Sequence, residues 1–212
     1  MKKILSCILA MLLCACGGTS ASSYNVETSK ASVSLQEFYP DMPQENNFTI
    51  IDKEDLKPFI EHGTGILFLG FPECPWCQVY LPMAQEILSE NGAMAKYYNI
   101  YTDKKEDRPF YDEIAALIAE RNDTEGDYVF YDNDGKQVIY MPLMLFIDEG
   151  EIVAFDNETC MEDSSVISPE EYWTQEKIDA FKKRLRAYVE DIFEEMEDND
   201  AKGCDKGCEV FD

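Results

Sequence analysis

The side chains of this chain best suited to covalent chemistry are two cysteines separated by two residues, in Cys74-Pro75-Trp76-Cys77. They follow an apolar run, Ile66-Leu67-Phe68-Leu69-Gly70-Phe71, and open a stretch with helical patterning. A thiol at the start of a helix faces unpaired backbone N–H groups and the positive end of the helix dipole, and both favour its thiolate. A second thiol one turn further on can reach back and close a disulfide. The chemistry expected of the pair is therefore thiol–disulfide exchange, in which Cys74 attacks a disulfide and Cys77 resolves the adduct. Zinc is the rival use of such a pair, with Cys204 and Cys208 as the remaining ligands. Three residues separate that second pair and it lies in a polar tail, so no metal or other cofactor is expected. His62, the single histidine, reads as a surface residue at a helix end, which leaves no His-based nucleophile chemistry.

The elements that must position the pair follow from hydrophobic periodicity. Residues 48–51 read as a short strand, and 52–61 as a short helix carrying Leu56, Phe59 and Ile60. Gly63 and Gly65 lead into 66–71, a continuous apolar run of the kind buried on both faces of a sheet. The next helix is expected over 75–89. Pro75 lies in its first turn, where a missing N–H is harmless, Pro82 inside it should bend it, and Asn91-Gly92 suits its C-terminal cap. Residues 96–101 read as a strand and 108–121 as a helix with Ile114, Leu117 and Ile118 on one face. Tyr128-Val129-Phe130-Tyr131 and Gln137-Val138-Ile139-Tyr140 flank Asp132-Asn133-Asp134-Gly135, the pattern of an acidic hairpin. Those acids lack the closing Glu of a calcium loop, so they read as a turn. Residues 143–147 and 152–155 form a second hairpin around Glu149-Gly150, and 174–196 a long helix with an apolar stripe. Hairpins pair antiparallel and helical crossovers parallel, so the expected fold is α/β, layered around a mixed sheet.

The ends of the chain suggest an address. Lys2 and Lys3 precede an apolar stretch over 4–13 and then small residues, the layout of a secretory signal and too short for a spanning helix. Leu13-Cys14-Ala15-Cys16-Gly17 resembles the lipobox of bacterial lipoproteins. That resemblance implies a signal peptide over 1–16, lipidation of Cys16, and an extracytoplasmic protein held at the cell membrane by its acyl chains. An ordinary secretion signal with two incidental cysteines is the plainer alternative. Residues 17–40, rich in Gly, Ser, Thr and Ala, read as a flexible tether, 41–199 as one domain, and 200–212 as a cysteine-containing tail. With 43 acidic against 18 basic residues and a net charge of −25, the chain has no basic patch, which excludes nucleic acid as a partner. The same charge suits either a cationic partner or simple solubility. Cys160, Cys204 and Cys208 remain. In an oxidising compartment two of them would pair: Cys160 with a tail cysteine would pin the tail, and Cys204 with Cys208 would close a small loop.

Taken in order, these elements with Cys-x-x-Cys at a strand-to-helix junction resemble the thioredoxin fold over roughly residues 48–196. Pro82 stands five residues after Cys77, where that family has its helix-kinking proline. Residues 95–100 match the following strand. Met141-Pro142 heads a strand where the family has its cis-proline, and the Gly150-Glu151 turn follows at the family's spacing. The resemblance implies a three-layer fold, with the acidic hairpin as an insertion. It implies catalytic roles for Cys74, Cys77 and Pro142, and substrate contacts from Trp76 and the backbone of Met141. The function it implies is a membrane-anchored protein thiol-disulfide oxidoreductase. Its partners would be exported cysteine-containing proteins and a membrane redox partner. Two further readings keep the fold: a non-catalytic binding or transport-accessory lipoprotein using its acidic face, and a heme- or metal-handling chaperone. The chain departs from the family at Phe68, which stands where thioredoxins carry a buried carboxylate. Glu73 offers either a partial replacement or a plain surface acid.

Overall fold

A computed structural model of the chain describes residues 35–124, 130–158 and 168–204, with 195–204 described as helix backbone only. The expected signal peptide, Cys16, most of the tether, Cys160 and Cys208 lie outside the described residues. After a 3-10 turn at Leu35–Glu37, the elements are β1 (Phe48–Ile50), α1 (Lys53–His62), β2 (Gly65–Leu69), α2 (Pro75–Asn91), β3 (Ala95–Tyr98), α3 (Ile100–Glu106), α4 (Arg108–Glu120), β4 (Leu143–Asp148), β5 (Glu151–Asp156), α5 (Pro169–Tyr172) and α6 (Gln175–Cys204). The expected α/β class and mixed sheet are therefore what the chain forms.

The five strands make one sheet in the order β1-β3-β2-β4-β5. β3 pairs in parallel with β1 and with β2, whereas β4 runs antiparallel to β2 and β5 antiparallel to β4. Side chains alternate across a strand, and here the alternation divides the core in two. On one face Ile66 and Phe68 of β2 lie beside their register partners Phe146 and Met144 of β4, under α2 and α6. On the other, Leu67 and Leu69 lie beside Leu145 and Leu143, against α1 and α4. Both central strands are apolar on both faces because helices cover both faces. The result is three layers, helix–sheet–helix, with β2 near the middle and its C-terminal end leading straight into α2.

Several features differ from expectation, the first of them for a tertiary reason. The strand expected over 96–101 ends at Tyr98, and residues from Ile100 onward turn into α3. There the buried Asp103 takes hydrogen bonds from Lys53 Nζ at 2.5 Å and Tyr98 Oη at 2.7 Å, anchoring the helix to α1 and β3. The acidic hairpin forms no two-stranded ladder among the described residues, only an isolated bridge between Tyr131 and Gln137. Asp132 instead accepts from the backbone N–H groups of Asp134 at 3.0 Å and Lys136 at 2.8 Å, and Ile139 N–H donates to Tyr111 Oη at 2.9 Å. Backbone bonds from Asp132 N–H to Lys136 O at 2.8 Å and from Val138 N–H to Phe130 O at 2.9 Å still join the two sides, and these side-chain bonds supplement them; Tyr128 and Val129 lie outside the described residues. The tether expected to run to residue 40 ends sooner, because Leu35, Tyr39 and Met42 are buried in the α2 face of the core. The last helix continues from the domain through residues expected in the tail, to Cys204. α5, absent from the expected elements, opens with Ser168 and Glu171 in a capping box.

The β4–β5 hairpin turns at Glu149 (φ 46°) and Gly150 (φ 86°), and Gly150 N–H donates to Gly63 O at 2.9 Å. A methyl group on Gly150 would sit 2.0 Å from the backbone oxygen of Glu61, whereas one on Gly135 (φ 75°) would meet nothing within 4 Å. Gly135→Ala should cost about 1 kcal/mol of strain alone. Gly150→Ala should destabilise clearly more, because the end of α1 must also move. Urea unfolding of the two variants beside the parent checks the order; equal losses would show that the close approach to α1 is without consequence.

Candidate active site at the start of α2

Cys74 is the N-cap of α2, with extended backbone (φ −78°, ψ 114°), and its Sγ accepts the backbone N–H of Cys77 at 3.1 Å. The sulfur thus stands where a Ser or Asp oxygen would usually cap a helix. Pro75 occupies the first helical position, where its fixed φ suits the turn. One turn on, Cys77 is wholly buried, and Cys74 itself is only 4% exposed. Both are free thiols.

Their acidities are driven apart. A hydrogen bond from the Cys77 side chain is the largest influence lowering the Cys74 thiol, against the opposing effect of burial, and the N–H groups of Cys77 and Trp76 lower it further. Burial is the largest influence on Cys77 and pushes it well above the ordinary thiol range, aided by the hydrogen bond and charge of Cys74. One helix turn therefore presents a thiolate-favouring sulfur beside one held as a thiol. Only the thiolate is a nucleophile, so the arrangement gives the two sulfurs a fixed order of action.

Across from α2 the Met141–Pro142 peptide bond is cis, and the Met141 carbonyl oxygen lies 3.9 Å from Cys74 Sγ, where it accepts from the thiol. Asn157 Nδ2 donates to Tyr140 O at 2.9 Å and to Pro142 O, holding this loop in place from the far end of β5. Gln78 Nε2 donates to Phe38 O at 3.0 Å and to Pro72 O, tying the first turn of α2 to the N-terminal segment and to the loop before Cys74. Cys74, Cys77, Met141 and Pro142 are thus brought together as expected. Trp76 is beside them but not free: its indole packs edge-on against Tyr172 of α5 at 5.3 Å, and Lys177 Nζ caps that tyrosine at 3.4 Å. On the other flank Phe71 stacks on Tyr101 at 4.1 Å under Lys105.

Asn157 and Phe71 reach the site without a sequence signal, apart from the nearness of Phe71 to Cys74. Glu73 is exposed. His62 is at the surface, with 64% of its side chain exposed. Cys204 ends α6, and among the described residues no three His, Cys, Asp or Glu side chains are grouped to hold a metal ion.

Because Cys74 is lowered, its thiolate fraction at neutral pH exceeds that of an ordinary cysteine, whose pKa is about 8.5. Alkylation of the native protein followed against pH should therefore modify Cys74 with a midpoint below that value and leave Cys77 unmodified across the range. A midpoint at the ordinary value, or equal labelling of both cysteines, would contradict the geometry. No protein-family model matches this chain, and no curated protein matches it.

Proposed function

We propose that this protein is a thioredoxin-like thiol-disulfide oxidoreductase that exchanges disulfides with exported cysteine-containing proteins through Cys74 and Cys77. The observation that carries the reading is Cys74 Sγ as the cap of α2, lowered in pKa, with buried Cys77 one turn away and the Met141 carbonyl opposite. The strand order, the helix-opening pair and the cis proline facing it support the thioredoxin-like part of the proposal. The exchange runs in two steps. Cys74 thiolate attacks a substrate disulfide, forming a mixed disulfide and releasing one substrate sulfur; Cys77 then attacks Cys74, closing the intramolecular disulfide and releasing the other. In reverse the same steps oxidise a dithiol. A substrate segment would run extended past the Met141 backbone, pairing with it as an added strand.

The lipobox-like sequence ending at Cys16 supports attachment to the outer face of the cell membrane, where a membrane redox partner would recharge the pair. Among the described residues no helix is long and apolar enough to cross a membrane.

Trapping in cells tests the proposal. Cys77→Ala should accumulate mixed disulfides through Cys74, visible as thiol-sensitive high-mass species, and Cys74→Ala/Cys77→Ala should accumulate none. Absence of adducts from the single variant, with the protein present and folded, would leave a binding module in its place.

A further inference from the structure

Asp156, Asn157 and Glu158 follow one another at the end of β5, and their side chains part company. Asp156 and Glu158 both bind Arg184 of α6, the first at 2.7 Å, and Asp156 also accepts from Tyr80 Oη at 3.0 Å. Asn157, between them and 9% exposed, reaches the loop before β4 instead. Its Nδ2 donates to Tyr140 O at 2.9 Å and to Pro142 O, one hydrogen for each. The carbonyl between these two, that of Met141, is the one 3.9 Å from Cys74 Sγ. The amide oxygen of Asn157 is buried and has no hydrogen-bond partner among the described residues. Turned over, the amide would set that oxygen against two carbonyl oxygens, so the group is held by its donors alone.

We infer that Asn157 is a positioning residue for substrate: by holding the carbonyls on either side of Met141, it keeps the Met141 backbone set toward Cys74 to receive an extended peptide. The inference rests on the exchange reaction and the substrate pairing proposed above. It concerns which disulfides react fastest, and favours those carried on an extended peptide over small ones.

The loop needs such a residue because the sheet does not fix it. β4 begins at Leu143, so Tyr140, Met141 and Pro142 lie before its ladder, and Pro142 has no N–H to donate. Side chains supply the fixed points: Tyr111 Oη takes Ile139 N–H at 2.9 Å just before the loop, and Asn157 takes two carbonyls within it. With those carbonyls released, the peptide planes on either side of Met141 would be free to turn. An extended substrate pairs through backbone N–H and C=O groups, and ordering their partners only on binding weakens that pairing. A small disulfide has no backbone to pair and needs only the sulfur of Cys74. The bonds from Arg184 to Asp156 and Glu158 hold the chain on both sides of Asn157, so the amide is itself anchored.

Asn157→Leu removes both donors at similar size, and Asn157→Ser keeps one; thermal melting checks that each folds. Two probes share a leaving group, thionitrobenzoate, joined by a disulfide either to the cysteine of a short linear peptide or to 2-mercaptoethanol. Cys74 thiolate attacks the peptide or mercaptoethanol sulfur. The new disulfide to Cys74 forms as the probe's own S–S bond breaks, and thionitrobenzoate leaves with the electron pair and is read by its absorbance. Release by Cys74→Ser, from thiols elsewhere in the chain, is subtracted. In Asn157→Leu the peptide probe should slow about tenfold more than the mercaptoethanol probe, the scale of a lost backbone hydrogen bond. Asn157→Ser should fall between that variant and the parent. A third probe, the same peptide methylated on the backbone nitrogens beside its cysteine, should already react slowly with the parent. On Asn157→Leu it should lose no more than the mercaptoethanol probe does. Equal slowing of the peptide and mercaptoethanol probes in a variant that melts as a folded protein would overturn the inference. So would a methylated peptide that matches the unmethylated one on the parent. A parent no faster than Cys74→Ser with any probe would instead overturn the exchange reaction itself.

Discussion

The first turn of a helix leaves backbone N–H groups without partners inside it, and at α2 one of these, on Cys77, is taken up by the sulfur of Cys74. Everything distinctive about the site depends on that single contact. It places a sulfur in the field of the helix N-terminus, where a negative charge is stabilised, and it holds Cys74 and Cys77 in one turn. A contact of this kind survives only if the helix start cannot drift. β2, buried on both faces and bonded to strands on both sides, delivers the chain to a fixed point, and Pro75 restricts the first helical residue.

Burial works in opposite senses on the two sulfurs because their hydrogen bonding differs. Both are nearly inaccessible, and burial alone would raise both. Cys74 receives donors that outweigh its desolvation, whereas burial dominates at Cys77. The asymmetry thus arises from the balance of donors against burial at each sulfur. Held this way, the pair needs no charged residue beside it to distinguish the first sulfur from the second.

Charge is buried elsewhere, and always in company. Asp156, 3% exposed at the end of β5, accepts from Tyr80 of α2 and binds Arg184 of α6, which also pairs with Glu158. A lone buried carboxylate would be strongly unfavourable, while one matched by a guanidinium and a hydroxyl is tolerated and fixes how its elements meet. This network joins β5, α2 and α6 behind the cysteines. Asn157, the next residue, continues it to the cis-proline loop. The two sides of the site, helix start and loop, are therefore held through a common strand end.

Much of this was legible in the amino-acid order because it rests on short-range pattern. Alternating and continuous apolar runs marked β2, β4 and β5. Pro75 and Gly92 marked the limits of α2, with Gly92 adopting φ 64° at its cap. The spacing of Cys74 and Cys77 set them one turn apart. What only the folded chain decided was the company those sulfurs keep. Phe38, whose carbonyl holds Gln78, arrives from a segment whose composition reads as tether, and Met141 and Asn157 from beyond a long excursion. α3 is likewise anchored by bonds from Lys53 and Tyr98, and the segment after the Asp132 turn by the bond from Ile139 to Tyr111. Such contacts join residues far apart in the chain, and local periodicity carries no record of which distant side chain will fill a given space. The reactive pair is a property of the sequence; its surroundings are a property of the packing.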